Sequence, residues 1–221
     1  MLCRGMSSPP PEPSKAELLV LDEATFDTET LAFVGLRGDQ GRHWRKAELV
    51  EALAKLPAAP QDEGRLDAIV ARGASGERQV LETSSLSVAD GLPLDRWRDD
   101  ERYGPDYQLA TACTDVARLI ARGQPLELHG DNLYLSLDLS RQNLPIGSQL
   151  QIGEARLVVT PQAHNGCKKW VQRFGLAPMK LNLAPAHRDR RLRGLYLRVV
   201  EPGRIAVGDR VTVVSRAATP T

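Results

Sequence analysis

Short apolar stretches separated by turn residues occupy most of the chain beyond residue 64 and predict a structure built mainly of strands. Gly153 and Glu154 separate two of these stretches, and a two-residue connection with glycine at its first position is typical of a tight hairpin. The pattern favours a β-barrel or β-sandwich decorated by a few helices over an alternating α/β fold. The predicted strands span residues 65–71, 79–86, 133–139, 149–152, 155–160, 192–200 and 211–214.

Helical spacing of apolar residues interrupts this pattern in only a few places. Leu49, Leu53 and Leu56 recur at helical intervals and predict a short amphipathic helix over residues 44–56. Two further short helices are predicted from their caps and stop signals. They span residues 115–121, with Thr114 as N-cap and Gly123 at the end, and residues 166 or 167 to 174, ended by Gly175.

Prolines and glycines divide the chain before the strands begin. Residues 1–15 hold a proline-rich run with few core-forming side chains and are predicted to be a disordered tail. Two prolines and a glycine within residues 57–64 end the first helix and form a connector. The predicted organisation is therefore the tail, an N-terminal extension with a short helix at residues 16–63, and a β domain at residues 64–216.

Charge and cysteine content narrow the possible partners and compartments. The chain of 221 residues carries 29 Lys plus Arg against 28 Asp plus Glu, so it lacks the overall positive field of proteins that bind nucleic acid or acidic membranes. Its three cysteines are odd in number and far apart, unlike a disulfide framework, and no apolar run approaches the roughly 18 residues that span a bilayer. We expect a soluble, cytoplasmic protein with no nucleic-acid or membrane partner.

The motifs of the common enzyme classes are absent from the sequence, namely the phosphate loop, the dinucleotide fingerprint, His-Glu-x-x-His and Gly-x-Ser-x-Gly. What remains is Cys167, which lies between a β-type stretch and a short predicted helix and is followed by Lys168 and Lys169. A helix start and two lysines favour the ionised thiol, the nucleophilic and metal-binding form. A buried, inert thiol is the usual alternative for a free cysteine, and Cys113 looks like such a core residue.

The side chains near Cys167 leave both a chemical and a structural interpretation open. His164 could take a proton from the thiol, or it could simply bond to nearby backbone. Lys168, Lys169 and Arg173 could form an anion site at the helix start, or they could be a solvated helix face.

Two further groups of polar or charged residues also leave both a functional and a structural interpretation open. Asp131 and Asn132 follow a glycine and precede a strand, where short polar side chains either bind a ligand or tie down a turn. Trp97 and Trp170 are predicted to pack in the interior. A second basic cluster could bind phosphate or only face solvent. Its members are Arg188, Arg190, Arg191 and Arg193.

Several short phrases follow one another in a distinctive order. They are residues 91–97 (GLPLDRW), 130–133 (GDNL), 144–147 (LPIG), 152–153 (IG), 164–168 (HNGCK), 173–175 (RFG), 193–199 (RGLYLRV) and 202–209 (PGRIAVGD). With these phrases arranged around one cysteine, residues 64–214 resemble a MOSC domain, named for the C-terminal domain of molybdenum cofactor sulfurases, of the stand-alone bacterial type.

The resemblance implies a MOSC-type β-barrel and places the family's single characteristic cysteine at Cys167. In such proteins this cysteine is thought to carry sulfur or to coordinate the molybdenum of the pterin cofactor, and some members reduce N-hydroxylated compounds. The family is also described as binding pyridoxal phosphate, a property of sulfurases with a separate desulfurase domain. Many relatives have glycine where Leu94 stands, so the turn before Asp95 is expected to differ.

Three hypotheses follow from the resemblance and the residues together. In the first, Cys167 ligates molybdenum while Lys168, Arg173 and Arg193 hold the pterin phosphate. The protein would then be an oxidoreductase acting on N-hydroxylated or related small molecules, with His164 as a second catalytic candidate and electrons from a donor protein. In the second, Cys167 carries a persulfide delivered by a cysteine desulfurase, and in the third the domain is a binding module without chemistry. The candidate cofactor-binding residues are Asn165, Lys168, Arg173, Asp131, Asn132 and Arg193.

Overall fold

The computed structural model describes residues 14–23, 25–31, 35–99 and 101–218, so the predicted tail at residues 1–15 lies almost entirely outside the described residues. The strands are β1 (Glu63–Arg72), β2 (Arg78–Leu81), β3 (Thr83–Leu86), β4 (Leu109–Cys113), β5 (Leu133–Leu135), β6 (Gln149–Ile152), β7 (Ala155–Val159), β8 (Leu195–Glu201), β9 (Gly203–Ala206) and β10 (Arg210–Ser215). The α-helices are α1 (Lys15–Val20), α2 (Lys46–Lys55), α3 (Thr114–Ala121), α4 (Lys168–Phe174) and α5 (Leu176–Leu183).

Seven of the strands close into a barrel in the order β10, β6, β7, β8, β4, β5 and β1, and β1 pairs back with β10 to complete the ring. The closing pairs join residues 63–65 to residues 210–212. Strand β1 is long enough to pair with three neighbours, namely β10 through residues 63–65, β5 through residues 66–69 and β2 through residues 69–72, and its pairing with β5 contains a register shift between Leu66 and Ala68. The predicted mainly β, barrel-type fold is confirmed.

The barrel interior is filled by aliphatic side chains that point inward at every second position. In β7, for example, Ala155, Leu157 and Val159 are buried while the residues between them are partly exposed. Burial of a leucine or valine side chain such as Leu157 or Val159 contributes roughly 1.5–3 kcal/mol to folding. The predicted hairpin is also confirmed, since Ile152 pairs with Ala155 across a turn in which Gly153 has φ +51°.

Some predicted elements differ from the structure. The single strand predicted at residues 79–86 is two strands, because β2 extends the barrel sheet whereas β3 pairs with β9 in a separate two-stranded sheet. Strand β4 was not predicted, because four of its five residues are buried and the sequence shows no alternation. Helix α5 was missed because it contains Pro178, which lies in the first turn where no amide donor is needed.

A second apolar cluster, separate from the barrel interior, joins the N-terminal extension to the helices that follow Cys167. Trp170 and Phe174 of α4 pack here with Leu18 of α1 and Leu49 and Leu53 of α2. The extension therefore covers the helix that carries the candidate cysteine. Among the helices in the described part of the chain, none has both the length and the apolar character needed to cross a lipid bilayer.

Candidate functional site

Cys167 is exposed and lies directly before α4, in extended backbone with φ −144°. Its carbonyl oxygen accepts the first hydrogen bonds of the helix, from the amides of Trp170 (3.0 Å) and Val171 (3.1 Å). The preceding Gly166 has φ +75°, and a β-carbon there would press into the Trp170 ring and Met179. Glycine at this position therefore sets the angle at which the thiol is presented.

Trp170 and Phe174 anchor the cysteine helix to the barrel through one buried histidine. The indole N–H of Trp170 donates to Nδ1 of His129 (3.2 Å), Nε2–H of His129 donates to the Ala117 carbonyl (2.8 Å), and the Phe174 ring stacks on the imidazole at 4.2 Å. Burial lowers the pKa of His129 to about 3, assisted by nearby Arg193, so the ring is neutral at physiological pH. A neutral ring is the form that this donor and acceptor arrangement requires.

Asp131 lies at the centre of a buried ionic group behind the cysteine loop. Its carboxylate is fully buried and accepts hydrogen bonds from Arg193 and from Nε2–H of His164 (2.8 Å). Arg193 also donates to the His129 carbonyl (2.8 Å). Burial alone would raise the pKa of Asp131, but Arg193 and then His164 outweigh it and hold the pKa well below its usual range. We call Asp131, Arg193 and His164 the buried triad.

His164 is held as a neutral ring by its place in this triad. Burial, followed by the charge of Arg193, lowers its pKa to about 4. A base this weak takes a proton from a thiol poorly, so the geometry favours a positioning role over the proton transfer predicted for His164. That catalytic role stays a prediction.

Asn132 and Asp95 form a second buried cross-link. The Asn132 side chain donates to the Val70 carbonyl (3.1 Å) and to Asp95 (2.6 Å) and accepts from the Ala110 amide (3.0 Å). Asp95 in turn accepts two hydrogen bonds from the guanidinium of Arg72, at 2.8 and 2.9 Å. The structural interpretation of Asn132 thus has clear support in the geometry, while its cofactor-binding role stays a prediction.

The turn before Asp95 adopts the conformation that a glycine would favour. Leu94 has φ +66°, in the left-handed region, and its side chain is 68% exposed. Leu94 accepts the strain of this conformation and Asp95 reaches Arg72, while the expected difference from the turn of relatives stays a prediction.

Arg173 is buried between the extension and the loop that precedes β5. Only 3% of the residue is exposed, and its guanidinium donates to the carbonyls of Leu36 (2.9 Å) and Leu128 (2.7 Å). Burial and then the charge of Arg78 lower its pKa to about 10. Arg173 therefore contributes positive charge to the site, whereas little of its side chain is exposed for a ligand to contact.

Two arginines that the sequence analysis did not select, Arg78 and Arg96, lie close to Arg173 and Lys169. Burial lowers the pKa of Lys169, and the charges of Arg96, Arg173 and Arg78 lower it further. Burial also lowers the pKa of Arg78, with Arg72 and Arg96 adding to the effect. We call Arg78, Arg96, Lys169 and Arg173 the cysteine-side basic cluster. Arg96 stands within the 91–97 phrase and could have been found there, whereas nothing in the sequence marks Arg78.

The Cys167 thiol is electrostatically coupled to this cluster. The negative charge of the ionised sulfur raises the pKa of both Lys169 and Arg173. It thereby opposes the lowering of these pKa values by burial and by the neighbouring cations. It also adds to the rise in the pKa of Tyr196 to about 12, which is caused first by burial. The Tyr196 ring packs on His164 with centroids 4.5 Å apart, so a protonated phenol lies against the buried triad.

The remaining residues that the sequence suggested for ligand binding differ in how far they are exposed and in what they contact. Lys168 is half-buried beside Cys167, and Asn165 is exposed in the loop before it. The predicted second basic cluster does not form one surface, because Arg193 belongs to the buried triad while Arg188 and Arg190 are exposed. Arg191 donates to the carbonyls of Leu139 (3.1 Å) and Leu144 (2.7 Å).

A closed seven-stranded barrel with an exposed cysteine at the start of a flanking helix defines the structural class. The family model described as "MOSC domain" matches residues 102–212, half of the chain. The chain belongs to the MOSC domain family.

Comparison with solved structures finds similar chains at low sequence identity. A crystal structure described as a hypothetical protein has a TM-score of 0.54 and 22% identity, and the match covers 73% of this chain and 72% of that one. YiiM from Escherichia coli has a TM-score of 0.49 and 23% identity, over 71% of this chain and 73% of that one. YiiM from Geobacillus stearothermophilus has a TM-score of 0.49 and 16% identity, over 69% and 76%. A search of curated protein sequences finds no match.

Proposed function

We propose that the protein binds the molybdenum cofactor through the sulfur of Cys167 and acts as an oxidoreductase on N-hydroxylated or related small molecules. The observation that supports this most is the pairing of an exposed thiol with the cysteine-side basic cluster. A thiolate is a soft ligand for a metal, and guanidinium and ammonium groups suit the phosphate of the pterin. Both parts of the donor set fit the cofactor.

Mutual repulsion within the basic cluster supports the assignment of an anion to it. Its cations lower one another's pKa, and a bound phosphate would relieve that repulsion. Arg78, Arg96 and Lys169 are half-buried and can be reached by a ligand, together with Lys168 and Asn165 next to the thiol. Arg173 supports them from a buried position. Asp131, Asn132 and Arg193 act from behind, since they are buried and bonded to protein partners, although the buried Nε of Arg193 has no acceptor among the described residues.

When bound, the cofactor would supply a metal centre that changes oxidation state. Reduction of an N–OH group to N–H takes two electrons and two protons and releases water, and the electrons would come from a separate donor protein. The chain's own residues would hold and orient the cofactor, and the buried triad would keep the loop before Cys167 in place.

The test is the metal and pterin content of protein purified from molybdenum-replete cells. We expect wild-type protein to contain both and Cys167→Ser to contain neither molybdenum nor pterin. Cys113→Ser is the matched control, because Cys113 is largely enclosed and its burial raises the pKa of its thiol. Wild-type protein that holds neither component would refute the proposal.

The basic cluster is tested by removing one charge at its accessible side. Arg96→Gln should lower the pterin content of the purified protein, whereas Arg190→Gln, an exposed arginine outside the cluster, should leave it unchanged. Equal pterin content in the two variants would argue against a role for the cluster.

The exposure of Cys167 also favours a second candidate, a sulfur carrier that holds a persulfide received from a cysteine desulfurase. Mass spectrometry after incubation with a desulfurase and cysteine should then show one added sulfur on the Cys167 peptide and none on the Cys113 peptide. If Cys167 also proves slow to alkylate, the third hypothesis, a binding module without chemistry, would replace both.

A further inference from the structure

A cavity of about 240 Å³ lies beside the cysteine loop and is distinct from the cysteine-side basic cluster. It is bounded by the loop at residues 160–165 on one side and by the segment that leads into β8 on the other. Of the described residues that line it, none is Cys167 or a member of the basic cluster. The cavity therefore adjoins the thiol site, with which it shares Asn165, but it contains none of the cysteine-side cations.

Positive charge is concentrated in this cavity. Arg141, Arg188 and Arg191 line it, and the charge of Arg141 adds to burial in lowering the pKa of Arg191 to about 10. The nearest acidic group to Arg141 is Asp189, whose carboxylate lies 3.8 Å from its Nε and is 81% exposed. An exposed, poorly aligned ion pair of this kind contributes little, so the cavity keeps an excess of positive charge.

One guanidinium nitrogen in the wall lacks a hydrogen-bond acceptor. The Nε of Arg141 is buried, and no atom of the described residues accepts a hydrogen bond from it. Buried donors are ordinarily paired, and an N–H left unpaired costs about 1–3 kcal/mol. The unpaired donor leaves the positive charge of Arg141 poorly compensated beside the cavity.

The rest of the wall is mixed, with the polar residues Thr160, Gln162, His164 and Asn182 beside a smaller apolar part. Ile146, Pro161, Leu183 and Leu195 line the cavity, and Asn165 adds a side-chain amide. Ligand sites commonly combine an apolar lining with a few polar groups that fix orientation. A free inorganic anion would leave the apolar part of this wall unused, whereas a small acid with an apolar body would cover it.

We propose that this cavity binds a small organic acid, with its carboxylate against Arg141 and Arg188 and its apolar body against Ile146, Pro161 and Leu183. The volume limits the ligand to about the size of a single ring with one acidic group. Binding of the acid does not depend on whether Cys167 carries molybdenum, sulfur or neither.

The experiment is a titration of the full-length protein with benzoate, followed by two-dimensional amide NMR. Benzamide, which has the same shape without the charge, and inorganic phosphate, which has charge without the apolar body, are titrated in parallel. We expect benzoate to shift the amide signals of Asn165 and Gly194 at about 10 mM, where a ligand with millimolar affinity is mostly bound. Benzamide and phosphate should bind at least about tenfold more weakly.

Substitutions in and around the cavity show where on the protein benzoate binds. The double variant Arg141→Gln and Arg188→Gln should weaken benzoate binding by about tenfold or more. Arg190→Gln, in the same exposed turn but outside the cavity, and Arg96→Gln, in the cysteine-side basic cluster, should each change it by less than about twofold. If the double variant does not fold, Ile146→Glu at the exposed rim, compared with Ile146→Gln, should show the same loss by repulsion.

Four outcomes would overturn the proposal. They are no benzoate-dependent shifts, equal binding of benzamide, tighter binding of phosphate than of benzoate, and binding that is unchanged in the double variant or in Ile146→Glu. Loss of benzoate binding in Arg96→Gln would place the acid in the cysteine-side basic cluster and would also overturn it. None of these results bears on the metal content of Cys167→Ser, so the two proposals can fail independently.

Discussion

Replacing Asp131 by Asn tests whether this residue stabilises the site from within or binds a ligand. The substitution keeps the shape of the side chain and removes its charge. In the structure the carboxylate is fully buried and neutralises Arg193, whose side chain is only 5% exposed, while it also accepts a hydrogen bond from His164. Asp131→Asn therefore leaves a buried guanidinium without its counter-charge.

The expected cost follows from this geometry. Breaking a buried ion pair by neutralising one partner destabilises a protein by about 3–5 kcal/mol, a large part of the roughly 5–15 kcal/mol that stabilises a typical domain. The hydrogen bond with His164 adds little to the loss, because the neutral ring can shift its proton and accept from the new amide. We expect the uncompensated charge of Arg193 to dominate.

Urea denaturation at pH 7, followed by circular dichroism, measures the effect. With a denaturant slope of roughly 3 kcal/mol per molar urea, Asp131→Asn should lower the unfolding midpoint by about 1 M or more. The double variant with Arg193→Met should be more stable than the sum of the single effects predicts, by at least about 2 kcal/mol. A midpoint within about 0.2 M of wild type, combined with loss of bound cofactor, would contradict the structural role and favour a ligand role for Asp131.

Three further predictions concern stability. Leu94→Gly should raise the melting temperature by relieving the strained turn, a gain of roughly 0.5–1 kcal/mol, whereas Leu94→Ala, which keeps a β-carbon at φ +66°, should give none. The pKa values of His129 and His164 in the folded protein lie below the unfolded value near 6.5, so the unfolded chain binds more protons between pH 7 and 5. The free energy of unfolding should therefore fall by roughly 3–4 kcal/mol from pH 7 to pH 5. Equal urea midpoints at the two pH values would contradict this. Gly38→Ala should lower the unfolding free energy by about 1–3 kcal/mol, because its β-carbon would overlap the Arg173 backbone, and an unchanged thermal melt would refute that contact.

Local patterns predicted much of the barrel. The β6–β7 hairpin and the start of α4 depend on short-range signals, namely apolar alternation, a two-residue turn with glycine and a glycine after the helix, and the structure has them close to the predicted positions. Strand β4 lacks such a signal, because both of its faces are covered and its residues show no period of two. Its identity as a strand comes from pairing with β5 and β8.

The sequence by itself determined that Cys167 stands between a strand and a helix, with two lysines after it, in a chain that resembles MOSC domains. Only the tertiary structure decided which partner each charged side chain has and whether it is buried or lies at the cysteine site. It neutralises Arg193 with Asp131, 62 positions away, ties Arg173 to the carbonyl of Leu36, 137 positions away, and brings Arg78 and Arg96 to the cysteine site. A sequence states that a side chain is charged, but the field at that charge depends on burial and on partners that only the folded chain brings together.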